Sequence, residues 1–259
     1  MHKKSKISLI NIIPYISIVA LLLVWSGASV QNPEVLPSPK MVIDRTIQLF
    51  EEPIMDKNIF GHIWASLQRV LIAMFFATVI GVTLGVLIGW YKKFRLTVGT
   101  IFEVIRPIPP IAWLPLIVML FGIEEFPKIL LVFIGALMPI VVNTYTGIKM
   151  IDKKIVDMGR VFNATNRQLL FEIAIPASVP AIIAGVKNGL GVGWMVVLAA
   201  EMIGADSGVG FLITRGSDYY DISLVLVGMV SIGVVGALLS VVTEIVEKVV
   251  CPWHQRKID

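Results

Sequence analysis

The sequence predicts an all-α integral membrane protein of six transmembrane helices, with a structured hairpin between the fourth and fifth. Three observations carry this. First, 56% of the 259 residues are hydrophobic and 15% charged, with a mean hydropathy of +0.85, whereas soluble domains carry about 25% charged residues. Second, the apolar runs are unbroken and near the length of a bilayer-crossing helix, while barrel strands would alternate over much shorter segments. Third, the stretch Lys149 to Pro180, between two such runs, holds five of the 22 Lys and Arg. Yet it spaces Ile151, Ile155, Met158 and Phe162 on one helical face, and Leu169, Leu170, Ile173 and Ile175 follow after a break at residues 163–166. That pattern predicts two short amphipathic helices joined by a turn, with an apolar surface that something soluble must cover.

Taken in order, residues 1–30 comprise a basic tail (Lys3, Lys4, Lys6) and a first apolar run, Ile7 to Val30. The run exceeds the roughly 7–15 residues of a signal-peptide core and shows no Ala-x-Ala site, which favours a retained anchor over a cleaved leader. Residues 31–62 are polar, punctuated by Pro33, Pro37, Pro39 and Pro53, and carry five acids against three bases, which suits the outside. A five-helix core follows over residues 63–250. The second span is expected at 64–90, the third at 96–120, the fourth at 129–148, the hairpin at 149–178, the fifth span at 179–203 and the sixth at 222–250. A short tail, 251–259, closes the chain.

Charge tests this map. With the N-terminus in the cytoplasm, inner segments hold fourteen Lys and Arg and outer segments five, while acids divide six inside and ten outside. Lys and Arg concentrate on the cytoplasmic side of membrane proteins, so both termini and the hairpin are expected in the cytoplasm. Topology thus accounts for the net charge of +4 without a nucleic-acid partner. The single cysteine, Cys251, allows no intrachain disulfide framework, and no metal site is expected. The sequence contains no Gly-Lys dipeptide and hence no phosphate-binding P-loop, and neither a His-x-x-x-His pair nor a Gly-x-Ser-x-Gly elbow. No catalytic residue or cofactor is expected on this chain. Active transport would need ATP hydrolysed on another subunit.

Within the spans, Gly81, Gly85 and Gly89 recur every fourth residue, as do Gly185, Gly189 and Gly193. Small residues at this spacing let helix backbones approach closely, either as a dimer seam or as packing inside one chain. The third span carries Arg106-Pro107-Ile108-Pro109-Pro110-Ile111-Ala112-Trp113-Leu114-Pro115, which cannot be regular helix, because each proline removes a donor and clashes with the preceding turn. Broken helix at membrane depth is tolerated where protein or a water-filled cavity surrounds it, so this run is either a pathway lining or a kink used for shape.

Five ionisable residues lie in spans: Arg69, Glu103, Arg106, Lys187 and Glu201. Such residues are costly there and face an interior or a pathway, usually paired. Helical rise of about 1.5 Å per residue puts Arg69 and Glu201 at similar depth as a structural ion pair, and Glu103 level with Lys187. Arg106 is left without an obvious carboxylate. Glu103, Arg106, Pro109, Trp113, Lys187, Trp194 and Glu201 are the candidate pathway residues.

The hairpin resembles the cytoplasmic loop of ATP-binding-cassette importer permeases, whose pattern is Glu-Ala-Ala, three residues, Gly, nine residues, Ile-x-Leu-Pro. Asp157-Met158-Gly159 fills the triplet, Asn163 the glycine place and Ile173-Ala174-Ile175-Pro176 the end, without a gap. Asp keeps the carboxylate, and Asn accepts a left-handed turn conformation best after glycine. Val35-Leu36-Pro37-Ser38-Pro39, the run Arg106 to Leu116, Phe121-Gly122-Ile123, Gly189 to Trp194, Ala200-Glu201 and Pro252-Trp253-His254 are similar to the nitrate/sulfonate/taurine permeases, the taurine permeases most of all.

That resemblance implies a type I importer permease fold in a bacterial cell membrane. It further implies a second permease copy, two ATPase subunits holding ATP and magnesium, and an extracytoplasmic substrate-binding protein. Asp157, Met158, Gly159, Arg160, Asn163, Ala164 and Pro176 would then form the ATPase-coupling element, and the solute would be small and anionic or zwitterionic. Two alternatives remain open: a self-sufficient secondary transporter or channel using Glu103, Lys187 and Glu201, and a membrane scaffold whose hairpin recruits a partner. Neither explains the hairpin spacing.

Overall fold

The computed structural model describes residues 13–252. Lys3, Lys4 and Lys6, and Trp253, His254, Arg256 and Lys257 at the other end, lie outside the described residues. The described chain is nearly all helix. Helix α1 (Ile13–Gln31) covers the described part of the first apolar run and is followed by α2 (Pro39–Glu51), within the polar, proline-punctuated segment 31–62. Its start is encoded locally, since Ser38 accepts the Met41 N–H and Pro39 occupies the first turn, where a missing donor is harmless. Val42 and Leu49 bury one face of α2, and Arg45 Nε reaches Asp221 at 2.7 Å.

Helix α3 (Ile59–Trp90) starts five residues before the expected span, capped by the Asn58 side chain, which accepts the Gly61 N–H. The third span is broken as its prolines require. Helix α4 (Lys92–Ile105) and helix α5 (Pro110–Phe121) meet at 88°. Pro109, forced out of the helical region by the proline after it, has ψ 136°. Gly122, at φ +79°, ends α5, a conformation that disfavours a side chain.

Helix α6 (Glu125–Lys149) leads to the hairpin helix α7 (Lys153–Val161). The hairpin's second limb is not a separate short helix. It is the start of α8 (Asn166–Glu201), 36 residues long, with a π turn at Leu169–Ala174. Helix α9 (Val209–Asp218) lies within a segment expected to be loop, and α10 (Ile222–Val250) completes the described chain. The expected count of six spans is matched only approximately. Among the described residues four helices are long and apolar enough to cross a membrane, the bent pair makes a fifth, and α1 supplies a shorter apolar helix.

The core sits where α6 lies between α3 and α8: Val70, Ala73, Met74 and Ala77 of α3 meet Val132, Ala136 and Ile140 of α6 and Trp194 and Val197 of α8. Both glycine stripes are seams within this chain, and both face α6. A Cβ on Gly85 would stand 2.5 Å from the Thr144 Cβ and 2.9 Å from the Val141 carbonyl oxygen, and one on Gly189 would stand 2.9 Å from the Ala136 carbonyl oxygen. Lipid gives helices no hydrophobic reason to associate, so close backbone approach of this kind supplies the packing energy.

Candidate functional site

The hairpin builds itself from local rules. Asp152 caps α7 by accepting the Lys154 N–H. At the other end the Ala164 N–H donates to the Gly159 carbonyl and the Asn163 N–H to the Arg160 carbonyl, with Asn163 at φ +57°. These two bonds and the left-handed residue form a Schellman motif, so Asn163 does stand in the conformation expected of it. Thr165 then opens α8 with a capping box: its hydroxyl accepts the Gln168 N–H, and the Gln168 side chain accepts the Thr165 N–H.

Gly159 faces inward, where a Cβ would press on Leu169 and Ile173 of α8. Its smallness thus closes the hairpin on itself. The outward face carries Ile155, Met158 and Phe162, exposed by 47%, 61% and 82%. Asp157 and Arg160 pair with each other at 3.1 Å in the open. Ala164 is half-buried in the turn, while Pro176 is exposed, beyond the π turn of α8.

At the opposite end of the molecule Arg69 and Glu201 are enclosed, while Glu125, which joins their network, keeps its side chain 58% exposed. Arg69 is 3% exposed and Glu201 1%. Arg69 uses all five of its N–H donors. Nε and Nη2 grip Glu125 at 2.6 and 2.7 Å, Nη1 reaches Glu201 at 2.6 Å and the Ser207 carbonyl at 2.7 Å, and Nη2 also reaches the Ser207 hydroxyl at 3.1 Å. The other Glu201 oxygen accepts from the Ser66 hydroxyl and the Gly210 N–H. His62 Nδ1 accepts the Gly208 N–H at 3.2 Å, so the ring carries its proton on Nε2, which donates to the Ile54 carbonyl. A closed shell of this kind holds α3, α6, α8 and the loop before α9 in one arrangement.

The other candidate pathway residues do not converge. Glu103 and Lys187, expected as a pair, are not one. Glu103 lies 3.3 Å from Arg106, one turn along α4, and Lys187 lies 3.3 Å from Glu247 of α10. Depth alone had matched the first two; which way each helix face turns, and the bend at the prolines, decided otherwise. Arg106 therefore has the carboxylate it was thought to lack.

Pro109 is exposed at the bend. Trp113 is half-buried there, and its Nε1–H has no acceptor among the described residues. Lys187 and Trp194 share a cleft between α8 and α10 with Gly236 and Ser240, and Trp194 Nε1 donates to the Ile232 carbonyl. Glu201 belongs to the enclosed network. Among the described residues no group of His, Cys, Asp and Glu is placed to hold a metal ion.

Sequence reasoning missed Glu125, Ser66, His62 and Ser207. The readable trace was the glycine spacing after Glu201. Gly208, at φ +117°, has no room for a Cβ beside the Glu201 carboxylate, and a Cβ on Gly210 would stand 2.8 Å from the Glu201 Cβ.

Comparison with known proteins matches residues 77–254 to the family described as binding-protein-dependent transport system inner membrane component. The Taurine transport system permease protein TauC of Escherichia coli (strain K12) is 32% identical, over 91% of this chain and 87% of that protein. The Nitrate import permease protein NrtB of Synechocystis sp. is 35% identical, over 98% of this chain and 96% of that one. Among solved structures, an inward-facing conformation of the MetNI methionine ABC transporter superposes with a TM-score of 0.65 at 21% identity, covering 72% of this chain and 93% of that one, a likeness of fold.

Proposed function

The chain belongs to the family of binding-protein-dependent transport system inner membrane components, and from that premise we propose that it is the translocation subunit of an ATP-driven importer for a small anionic or zwitterionic solute of the taurine, sulfonate or nitrate kind. Its partners would be a second permease copy, two ATPase subunits carrying ATP and magnesium, and an extracytoplasmic binding protein. The setting would be a bacterial cell membrane, with both termini and the hairpin in the cytoplasm. The observation that carries the reading is the hairpin helix, held rigid by caps at both ends while it leaves Ile155, Met158 and Phe162 uncovered.

In this scheme α7 seats in a groove of the ATPase, and closure of the ATPase dimer on ATP draws the two hairpins together. ATP then acts as the ligand that shifts the spans from inward-open to outward-open. Asp157, Met158, Arg160, Asn163, Ala164 and Pro176 present or shape the docking element, and Gly159 lets its limbs close. The solute would pass the broken span near Glu103, Arg106, Pro109 and Trp113, and the cleft of Lys187 and Trp194. A proton relay through Glu103, Lys187 and Glu201 has little support, because each of the three has a different partner.

Co-purification from cells expressing the neighbouring transport genes tests the reading. The tagged wild-type chain should retain an ATPase in detergent. Met158→Glu with Phe162→Glu should lose it, and with it uptake, while insertion stays normal. A wild-type chain that never retains an ATPase, or a double variant with full uptake, would overturn the assignment.

A further inference from the structure

Helix α7 has a second face, turned away from its bare apolar residues. Lys153, Val156, Asp157 and Arg160, at i, i+3, i+4 and i+7, share a stripe on the side away from Ile155, Met158 and Phe162. Together with Trp90 and Arg95 from the α3–α4 junction and Lys149 at the end of α6, this stripe lines an open cleft of about 650 Å³. Four cations thus face one carboxylate, and that carboxylate is already held by Arg160 at 3.1 Å. Arg95 is fixed in place, donating from Nε and Nη2 to the Ile88 and Gly89 carbonyls at 3.2 and 2.6 Å, which satisfies the open end of α3. Lys149 Nζ lies 3.2 Å from the Tyr145 hydroxyl, and Lys153 has no ion-pair partner among the described residues. Arg95 also borders a second, mostly apolar cleft lined by Ile88, Leu96 and Phe102, with Glu103, already paired to Arg106, in its wall. A cationic cup at the ends of apolar spans, sharing Arg95 with a mostly apolar trough, suits a ligand with a phosphate at one end and hydrocarbon at the other.

We propose that this cleft holds the phosphate of an anionic phospholipid, with an acyl chain lying along the trough beside Leu96. The lipid would bridge the end of α3 to the hairpin helix and so fix the hairpin from the side opposite Ile155, Met158 and Phe162. The inference stands apart from the transport reading, because it requires only that the hairpin end meets a bilayer surface.

The test uses the full chain in neutral detergent. Native mass spectrometry counts retained lipid, and thermal unfolding is followed with phosphatidylglycerol, with phosphatidylcholine, and with millimolar inorganic phosphate. Phosphatidylglycerol should be retained and should raise the unfolding temperature. Lys153→Gln with Arg160→Gln should weaken its retention at least ten-fold, and Lys149→Gln alone should weaken it in the same direction. Lys92→Gln with Lys93→Gln, at the same end but not lining the cleft, should leave retention within two-fold.

Equal retention of phosphatidylcholine would overturn the site, as would equal loss in the Lys92 and Lys93 control, which would mean diffuse surface charge. Unchanged retention in the cleft variants would do the same. Stabilisation by inorganic phosphate equal to that by phosphatidylglycerol would overturn the lipid assignment in favour of a soluble anion.

Discussion

The two ends of this molecule treat their side chains in opposite ways. At one end Arg69 and Glu201 are buried and every donor of the arginine is matched. Around α7 charged groups lie in the open and large apolar side chains are bare. A polar group left unmatched in a dry interior is expensive, so a closed polar shell marks a region complete within one chain. An uncovered apolar stripe on a well-capped helix marks a region that another surface completes. The first end is finished by folding, the second by assembly.

Substitutions at the two ends should therefore differ in size and in kind. Arg69→Ala strands the buried Glu201 carboxylate and should cost about 3–5 kcal/mol, read as a lost or strongly lowered thermal transition in detergent. Cutting the exposed Asp157–Arg160 pair by Asp157→Ala should cost no more than about 1 kcal/mol. If the two losses prove equal, the contrast between the ends fails.

Between the ends, Gly85→Leu should destabilise by about 1–3 kcal/mol through overpacking against Thr144 and the Val141 carbonyl. Gly191→Ala, on the same helix as the second stripe but with nothing within 4 Å of the added carbon, should be neutral or stabilise by up to about 1 kcal/mol. Asn163→Val forces a β-branched residue into a left-handed conformation and should cost about 1–2 kcal/mol. Asn163→Gly should cost little. Phe162→Glu is expected to have the smallest effect on stability, within about 0.5 kcal/mol, and yet to abolish ATPase retention. That separation of stability from assembly is the sharpest form of the contrast.

The sequence made the hairpin's first helix and its turn at Asn163 legible because their signals are local. The Asp152 cap and the Thr165–Gln168 box are equally local but went unread. The break at Pro109-Pro110 was legible for the same reason. The depth match of Arg69 and Glu201 was also readable, since both lie near the same ends of long helices, and the structure brings them to 2.6 Å. What sequence could not supply was rotation. The two glycine stripes gave no hint that they clasp one helix from two sides, and Glu103 and Lys187 were matched by depth while their helix faces turn apart. Glu125 was hidden because it lies between the expected third and fourth spans, outside both, and α2 because its apolar residues are interleaved with charges among prolines.

One consequence follows from the length of α8. Thirty-six residues of continuous helix make a rod of about 54 Å at the usual rise, running from the hairpin's turn at Thr165 to the carboxylate of Glu201. Its soft points, the π turn, Pro176 and Pro180, all lie in the half nearer the hairpin. Beyond them the rod has no joint of either kind, and it ends at Glu201, which is tied to an arginine on a different helix. A single beam thus joins the molecule's most enclosed ion pair to its barest apolar surface.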